Sequence, residues 1–391
     1  MKIGASKRLQ SFGAYPFAEV DKLVEQLETQ GIKLTDFGVG DPIEPTPEFI
    51  REACKKAIDA RKSSGYPSYI GTTEFRGAIG DWIKKRFNVK LNPETEISST
   101  IGSKEAVFNF HEGVIDPGDI VLVPNPGYPP MNRGTLFAEG RVVYLNLLEE
   151  NNFLPNLQEI PADIIKRTKL LWVNYPNNPT ASIAPKSFFK EVIDFGHDNN
   201  ILIASDEAYT EMYYDTKPMS ILELNREGII TFNSLSKRSK MTGYRIGWVA
   251  GDQELISIFK KVKTNIDSGT ATFIQDAAVA ALKDEMHVEQ ARADYKKKRD
   301  IMLNAFLEIG LETRAPEATI YIWQKCPRKT SSLEFVKQLL NKDIAIVCTP
   351  GAWISEEVNG INPGEGYVRF ALVPTIEETQ QAADRLIKNY G

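Results

Sequence analysis

The chain has 391 residues, 42% hydrophobic and 25% charged, which fits a globular protein with one large domain and a smaller companion and excludes a disordered or fibrous chain. A net charge of -5 argues against nucleic acid as the main partner, because phosphate binding needs a basic face, yet leaves room for a local cationic pocket. Cys54, Cys326, Cys348, His111, His197 and His287 are scattered, with neither C-x-x-C nor H-E-x-x-H, so no disulfide framework and no metal are expected.

The N-terminus has no apolar run of signal-peptide length, and no segment reaches the roughly 20 apolar residues of a membrane helix, so a cytoplasmic location is expected. Residues 1–45 carry few strand signals and are expected to pack with a small domain from the other end of the chain. From 46 to 275, short β-rich runs alternate with helical patterns. The predicted strands are Ile120–Pro124, Arg141–Leu145, Leu170–Asn174, Ile201–Ser205, Ile229–Asn233 and Ile246–Ala250, several of them apolar throughout. Pro185–Asn199 places Phe188, Phe189, Val192 and Phe195 at helical spacing. This alternation predicts an α/β large domain with a mostly parallel central sheet covered by helices. From 276 to 391 a smaller α+β domain is expected. It would have a long helix over Val288–Gly310, strands at Thr319–Gln324, Ala345–Thr349 and Tyr367–Leu372, and helices at Ser332–Lys342 and the C-terminus.

Six stretches carry candidate chemistry. In IGSKE, Gly102 and Ser103 open a helix whose N–H groups suit a phosphate, although serine is also an ordinary helix cap. Tyr128, in NPGYPP, could stack on a planar ring or simply pack. NYPNNPT is a turn, and Asn178 within it is a candidate donor to a ring oxygen. In SDEAY, Asp206 falls where a parallel strand ends, the usual ligand edge of an open α/β sheet. A carboxylate there can keep a pyridine nitrogen protonated, and Tyr209 can donate to a ring oxygen. Asp206 also reads as a plain strand-to-loop cap.

NSLSKRSKMTGYRIG (Asn233–Gly247) places Lys237 just beyond a buried strand. Burial makes an ammonium costly, so Lys237 suits an amine kept neutral enough to form an imine with an aldehyde cofactor, with Ser234 and Arg245 on that cofactor's phosphate. With Arg238, Lys240 and Arg245 so close, a solvated basic loop is the other reading. In YVRFAL, Arg369 lies within an apolar strand and needs an anion, either a substrate carboxylate or an internal Asp or Glu. A lysine, a phosphate cradle, a carboxylate for a ring nitrogen and a carboxylate-binding arginine together are the parts that one amine-transfer mechanism requires.

At this point the chain resembles the class I/II aminotransferases of the aspartate aminotransferase superfamily, the fold type I pyridoxal phosphate enzymes. The likeness runs in order through GVGDPIEPTP, GYPSYIGTTEFR, IGSKEA, PNPGYP, YPNNPT, SDEAY, SLSKRSKMTGYRIGW and YVRFAL. It implies pyridoxal 5'-phosphate as cofactor, Lys237 as the Schiff-base lysine and proton carrier, and Asp206 on the pyridinium nitrogen. Asn178 and Tyr209 would hold the ring oxygen, with Tyr128 stacked on the ring. Ser103, the Lys104 backbone, Ser234, Ser236 and Arg245 would surround the phosphate. Arg369 would bind the substrate α-carboxylate near the Gly40 N–H. Tyr66 would reach the neighbouring subunit's phosphate, which implies a homodimer. Ala181 departs from the family's usual glycine after NNPT and would be strained if that position has φ > 0.

GYPSYIGTTEFR, IGSKEAV and VKTNIDSG look most like LL-diaminopimelate aminotransferases, implying lysine-precursor synthesis with 2-oxoglutarate and glutamate as the other pair. Aspartate, alanine or broad-range aminotransferases are the alternatives. Ser234-Leu-Ser-Lys237 also fits S-x-x-K, but S-D-N and K-T-G do not occur. GVGDPI lacks the last glycine of a dinucleotide fingerprint. A cofactor-binding regulator would need an appended DNA-binding segment, for which the chain has no room.

Overall fold

The computed structural model describes residues 4–10 and 18–390. The expectation for residues 1–45 therefore falls partly outside the described residues. Twelve strands occur among them: β1 Thr35–Asp36, β2 Ile97–Thr100, β3 Ile120–Asn125, β4 Arg141–Asn146, β5 Thr168–Asn174, β6 Leu202–Asp206, β7 Ile229–Ser234, β8 Gly247–Gly251, β9 Tyr321–Lys325, β10 Ile346–Val347, β11 Thr349–Pro350 and β12 Tyr367–Ala371.

Seven of them form one sheet in the order β2-β8-β7-β6-β5-β3-β4. Only β8 runs against the rest, pairing antiparallel with both β2 and β7. Every residue of β3, β7 and β8 is buried, as the apolar runs require for strands covered on both faces. Alternate residues feed different cores. Leu171, Val173 and Ile229 pack on one face, while Leu170, Trp172, Ile230 and Phe232 pack on the other. Sequence patterning missed β2, because Ile-Ser-Ser-Thr reads as polar, yet all four residues are buried against β8.

A further core gathers β9 and β12 with the helices Met286–Glu308 and Ile376–Asn389. Val20 and Phe37 of the N-terminal segment and Tyr209 and Met212 of the SDEAY loop also enter it. The run expected as one strand at Ala345–Thr349 is two short pieces: β10 pairs parallel with β1, and β11 pairs antiparallel with β12. The break follows from each half having a different partner. β9 starts two residues later than expected because Thr319 takes φ +70°. Several other ends are shifted: the long helix spans Met286–Glu308 and the next one Ser332–Leu339, where Leu340 caps it. No helix among the described residues is long and apolar enough to cross a membrane.

This topology brings the chemistry to one edge. The carboxyl ends of β2, β3, β5, β6 and β7 lead into Ser103, Tyr128, Asn178, Asp206 and Lys237 in turn. Because β8 is reversed, Arg245, which precedes it, lies at that same edge.

Candidate active site

A cavity of about 620 Å³ opens where those strand ends face the N-terminal segment and β9. Gly40, Ser103, Lys104, Tyr128, Asn178, Asp206, Tyr209, Ser234, Ser236, Lys237 and Arg245 all line it. Arg369 borders it, and Tyr66 does not reach it: its side chain is 93% exposed on this chain's surface.

Lys237 sits in the one-turn helix Leu235–Arg238 that starts where β7 ends. Ser234 caps that turn, its hydroxyl accepting from the Ser236 N–H at 3.1 Å. The rest of the basic loop does not form a solvated cluster around Lys237. Arg238 is buried and pairs with Glu285 at 2.7 Å, and Lys240 pairs with Glu44. Lys237 Nζ has no acidic partner among the described residues and donates to the Gly40 carbonyl at 2.5 Å. Burial is the largest influence on this ammonium and lowers it below the ordinary lysine range; Arg369 and Arg245 add to the effect against Tyr321 and Asp41.

Asp206 is 3% exposed. One carboxylate oxygen accepts from the Ala208 N–H at 3.2 Å, so the capping role is real. It has no cation at ion-pair distance among the described residues, and burial pushes its carboxyl up to about 7. A buried carboxylate with nothing but one N–H is expensive, and a cationic aromatic nitrogen is the kind of partner that would offset this.

Arg369 lies on β12 and finds only neutral partners. It donates to Asn178 Oδ1 at 3.1 Å and to the Gly38 carbonyl at 2.9 Å, and its Nε is buried without a partner. The internal Asp or Glu of the structural reading is absent among the described residues. Elsewhere in the lining, Arg245 approaches Gly102 closely. A Cβ on Gly102, whose φ is +73°, would fall 2.6 Å from Arg245 Nη2. Glycine is therefore required for the guanidinium to lie beside the start of the helix Ser103–Asn109. These observations fit a phosphorylated pyridine aldehyde held by Lys237 at one end and by the hydroxyls and Arg245 at the other.

Sequence reasoning missed three participants. Tyr321 lines the cavity, its hydroxyl 2.9 Å from that of Tyr209 and its ring under the Arg369 guanidinium at 4.6 Å. Asn174 ties two stretches together, donating to the Asp206 carbonyl at 3.0 Å and accepting from the Asn178 N–H at 3.1 Å. Asp41 also lines the cavity; the adjacent Glu207 does not, its buried carboxyl accepting from the Ser205 hydroxyl and the Ile221 N–H and pushed up to about 7 by burial. A tyrosine within the apolar ATIYIW run is the only sequence signal for Tyr321, since a buried phenol needs a polar partner. Ala181 adopts φ +61°, as suspected. Its N–H still bonds the Asn177 carbonyl at 3.0 Å, and burial of its methyl offsets left-handed strain of about 1 kcal/mol.

The family profile for class I and II aminotransferases matches residues 32–386. The chain is 45% identical over 388 residues to an LL-diaminopimelate aminotransferase from Aquifex aeolicus (strain VF5), covering 98% of each chain. It is 42% identical to one from Nitratidesulfovibrio vulgaris (strain DSM 19637 / Miyazaki F), covering 97% of each. Among solved structures, an aminotransferase from Neisseria meningitidis Z2491 superposes with a TM-score of 0.92 at 33% identity, covering 98% of this chain and 100% of that one. A single mutant of Thermus thermophilus aspartate aminotransferase gives 0.90 at 28%, covering 99% and 100%. Sequence match and superposition both run nearly end to end, through all the strand ends that build the cavity, and the chain belongs to the class I and II aminotransferases.

Proposed function

We propose that this aminotransferase moves an amino group from LL-diaminopimelate to 2-oxoglutarate, using pyridoxal 5'-phosphate in a ping-pong cycle within a cytoplasmic homodimer. The observation that carries the substrate assignment is identity of 40–45% along nearly the whole chain to several LL-diaminopimelate aminotransferases. The cofactor assignment is supported by the buried, cation-free Asp206 facing the same cavity as Lys237, whose ammonium burial lowers below the ordinary lysine range.

When bound, pyridoxal phosphate supplies an aldehyde that takes up the substrate amine and a ring that absorbs charge from the α-carbon. The chain's own groups do the rest. Ser103, the Lys104 backbone, Ser234, Ser236 and Arg245 hold the phosphate. Asp206 keeps the ring nitrogen protonated, Asn178 and Tyr209 hold the ring oxygen, and Tyr128 lies against the ring face. Arg369, with the Gly40 N–H, fixes the substrate α-carboxylate, so the α-hydrogen is presented to Lys237. Lys237 Nζ then removes that proton. Burial favours its neutral form, the one able to accept a proton. Tyr66 serves the partner's phosphate, in keeping with its absence from its own chain's cavity.

Steady-state rates test the substrate pair. LL-Diaminopimelate with 2-oxoglutarate should give parallel double-reciprocal lines and the highest kcat/KM. A higher kcat/KM with aspartate or alanine as donor would discard the diaminopimelate assignment and keep the reaction class.

A further inference from the structure

We propose that Tyr321 is a positioning residue for amine transfer: its hydroxyl donates to the Tyr209 hydroxyl, which directs the Tyr209 proton into the cavity. The inference rests on the cofactor reading above. The two phenols are 2.9 Å apart, oxygen to oxygen, with their rings edge to face at 5.6 Å. Both side chains are buried, at 7% and 3% exposure. A phenol has one proton to give and can accept others. If Tyr209 gave its proton to Tyr321, it would have none for a ring oxygen. With Tyr321 as donor, the Tyr209 proton points to the ligand and the two bonds reinforce each other.

The fold reserves room for this hydroxyl. A Cβ on Gly40 would overlap the Tyr321 hydroxyl and ring edge, so a larger residue there would displace Tyr321. The Gly40 carbonyl also receives Lys237 Nζ, so the segment that bounds Tyr321 also holds the lysine. The Tyr321 ring meanwhile supports the Arg369 guanidinium, 4.6 Å from its centroid. Tyr321 thus contacts the groups assigned to the ring oxygen and to the substrate carboxylate. The other titratable or charged groups that interact with this pair are Arg369 on β12, Tyr128 after β3, Lys237 beyond β7 and Tyr295 on the helix Met286–Glu308.

The test is a pH titration of the visible absorption of protein loaded with pyridoxal phosphate, in wild type, Tyr321→Phe, Tyr209→Phe and the double variant. Negative charge on the ring oxygen holds the proton on the Lys237 nitrogen. Weaker donation from Tyr209 leaves more charge there, so the midpoint should rise. Tyr321→Phe should raise it by about 0.3–0.5 pH unit, Tyr209→Phe by more, and the double variant no further than Tyr209→Phe. Tyr321→Phe keeps the ring, so kcat should fall roughly 3–10-fold with KM for the amino donor unchanged. Tyr321→Leu should raise that KM. A Tyr321→Phe midpoint equal to wild type, or an equal shift in the Tyr209→Phe background, overturns the proposal. Wild-type protein that gains no visible band with pyridoxal phosphate removes the cofactor reading, and this inference with it.

Discussion

Asp206 and Arg369 are opposite charges placed in apolar strands without ionic partners, and each has a measurable consequence. Burial lifts the Asp206 carboxyl from 3.8 to about 7 and the neighbouring Glu207 carboxyl to about 7. Groups raised on folding contribute stability that is fully present below their unfolded values and is lost as pH rises through the folded ones. Protein without cofactor should therefore lose thermal stability between about pH 4 and pH 8. Asp206→Asn should flatten that slope and be more stable than wild type at pH 8 by on the order of 1–4 kcal/mol. Equal slopes would show that Asp206 carries no buried charge. For Arg369, replacement by alanine should raise KM for amino-acid donors about 10–100-fold; an unchanged KM would remove its assigned role. These residues were legible in the sequence because a charge in an apolar strand is anomalous. Tyr321 and Asn174 were not, since a tyrosine in a strand and an asparagine in a turn are ordinary, and their significance lies in partners far away along the chain.

At the level of elements, the site is a row of strand ends plus one strap. Apolar runs located β3, β5, β6 and β7, and the residue after each end was therefore readable as a ligand position. Neither the reversal of β8 nor β2, hidden behind two serines and a threonine, was readable, because antiparallel pairing and hydroxyl burial leave no period in the sequence. The strap is the N-terminal segment around Gly38–Glu44. Glu44 pairs with Lys240, three residues beyond Lys237, and with Lys298 of the helix Met286–Glu308 at 2.6 Å. Burial raises the Glu44 carboxyl, but hydrogen bonds from Lys240 and Lys298 outweigh it and hold the group below its ordinary value. This contribution is present above the unfolded value of about 4.5 and is lost as pH falls below it. Glu44→Ala would leave Lys298, at 1% exposure, without its partner. It should destabilise the protein by roughly 3 kcal/mol in thermal or denaturant unfolding at neutral pH. A loss within 0.5 kcal/mol, the range of ordinary surface changes, would mean the clamp contributes little.

At the scale of the whole molecule, the cavity is lined by every assigned cofactor contact except Tyr66, which is exposed on the chain's surface. The dimer reading makes that a matter of symmetry: each site borrows one tyrosine from its neighbour. Lys237→Ala and Tyr66→Phe homodimers, each with low activity, should complement when unfolded, mixed and refolded together. Hybrids hold one site with both residues intact, so activity should recover to about one quarter of wild type under random assembly. No recovery would place Tyr66 in its own chain's site or outside both.

The most direct measurement is the absorption spectrum of the protein loaded with pyridoxal phosphate, in wild type and Lys237→Ala, before and after LL-diaminopimelate, glutamate, aspartate and alanine added separately. Wild type should show a visible band that is bleached by diaminopimelate and glutamate and restored by 2-oxoglutarate. Lys237→Ala should hold cofactor without that band and turn over at a small fraction of the wild-type rate. A Lys237→Ala protein with the wild-type band and near wild-type turnover would contradict the account.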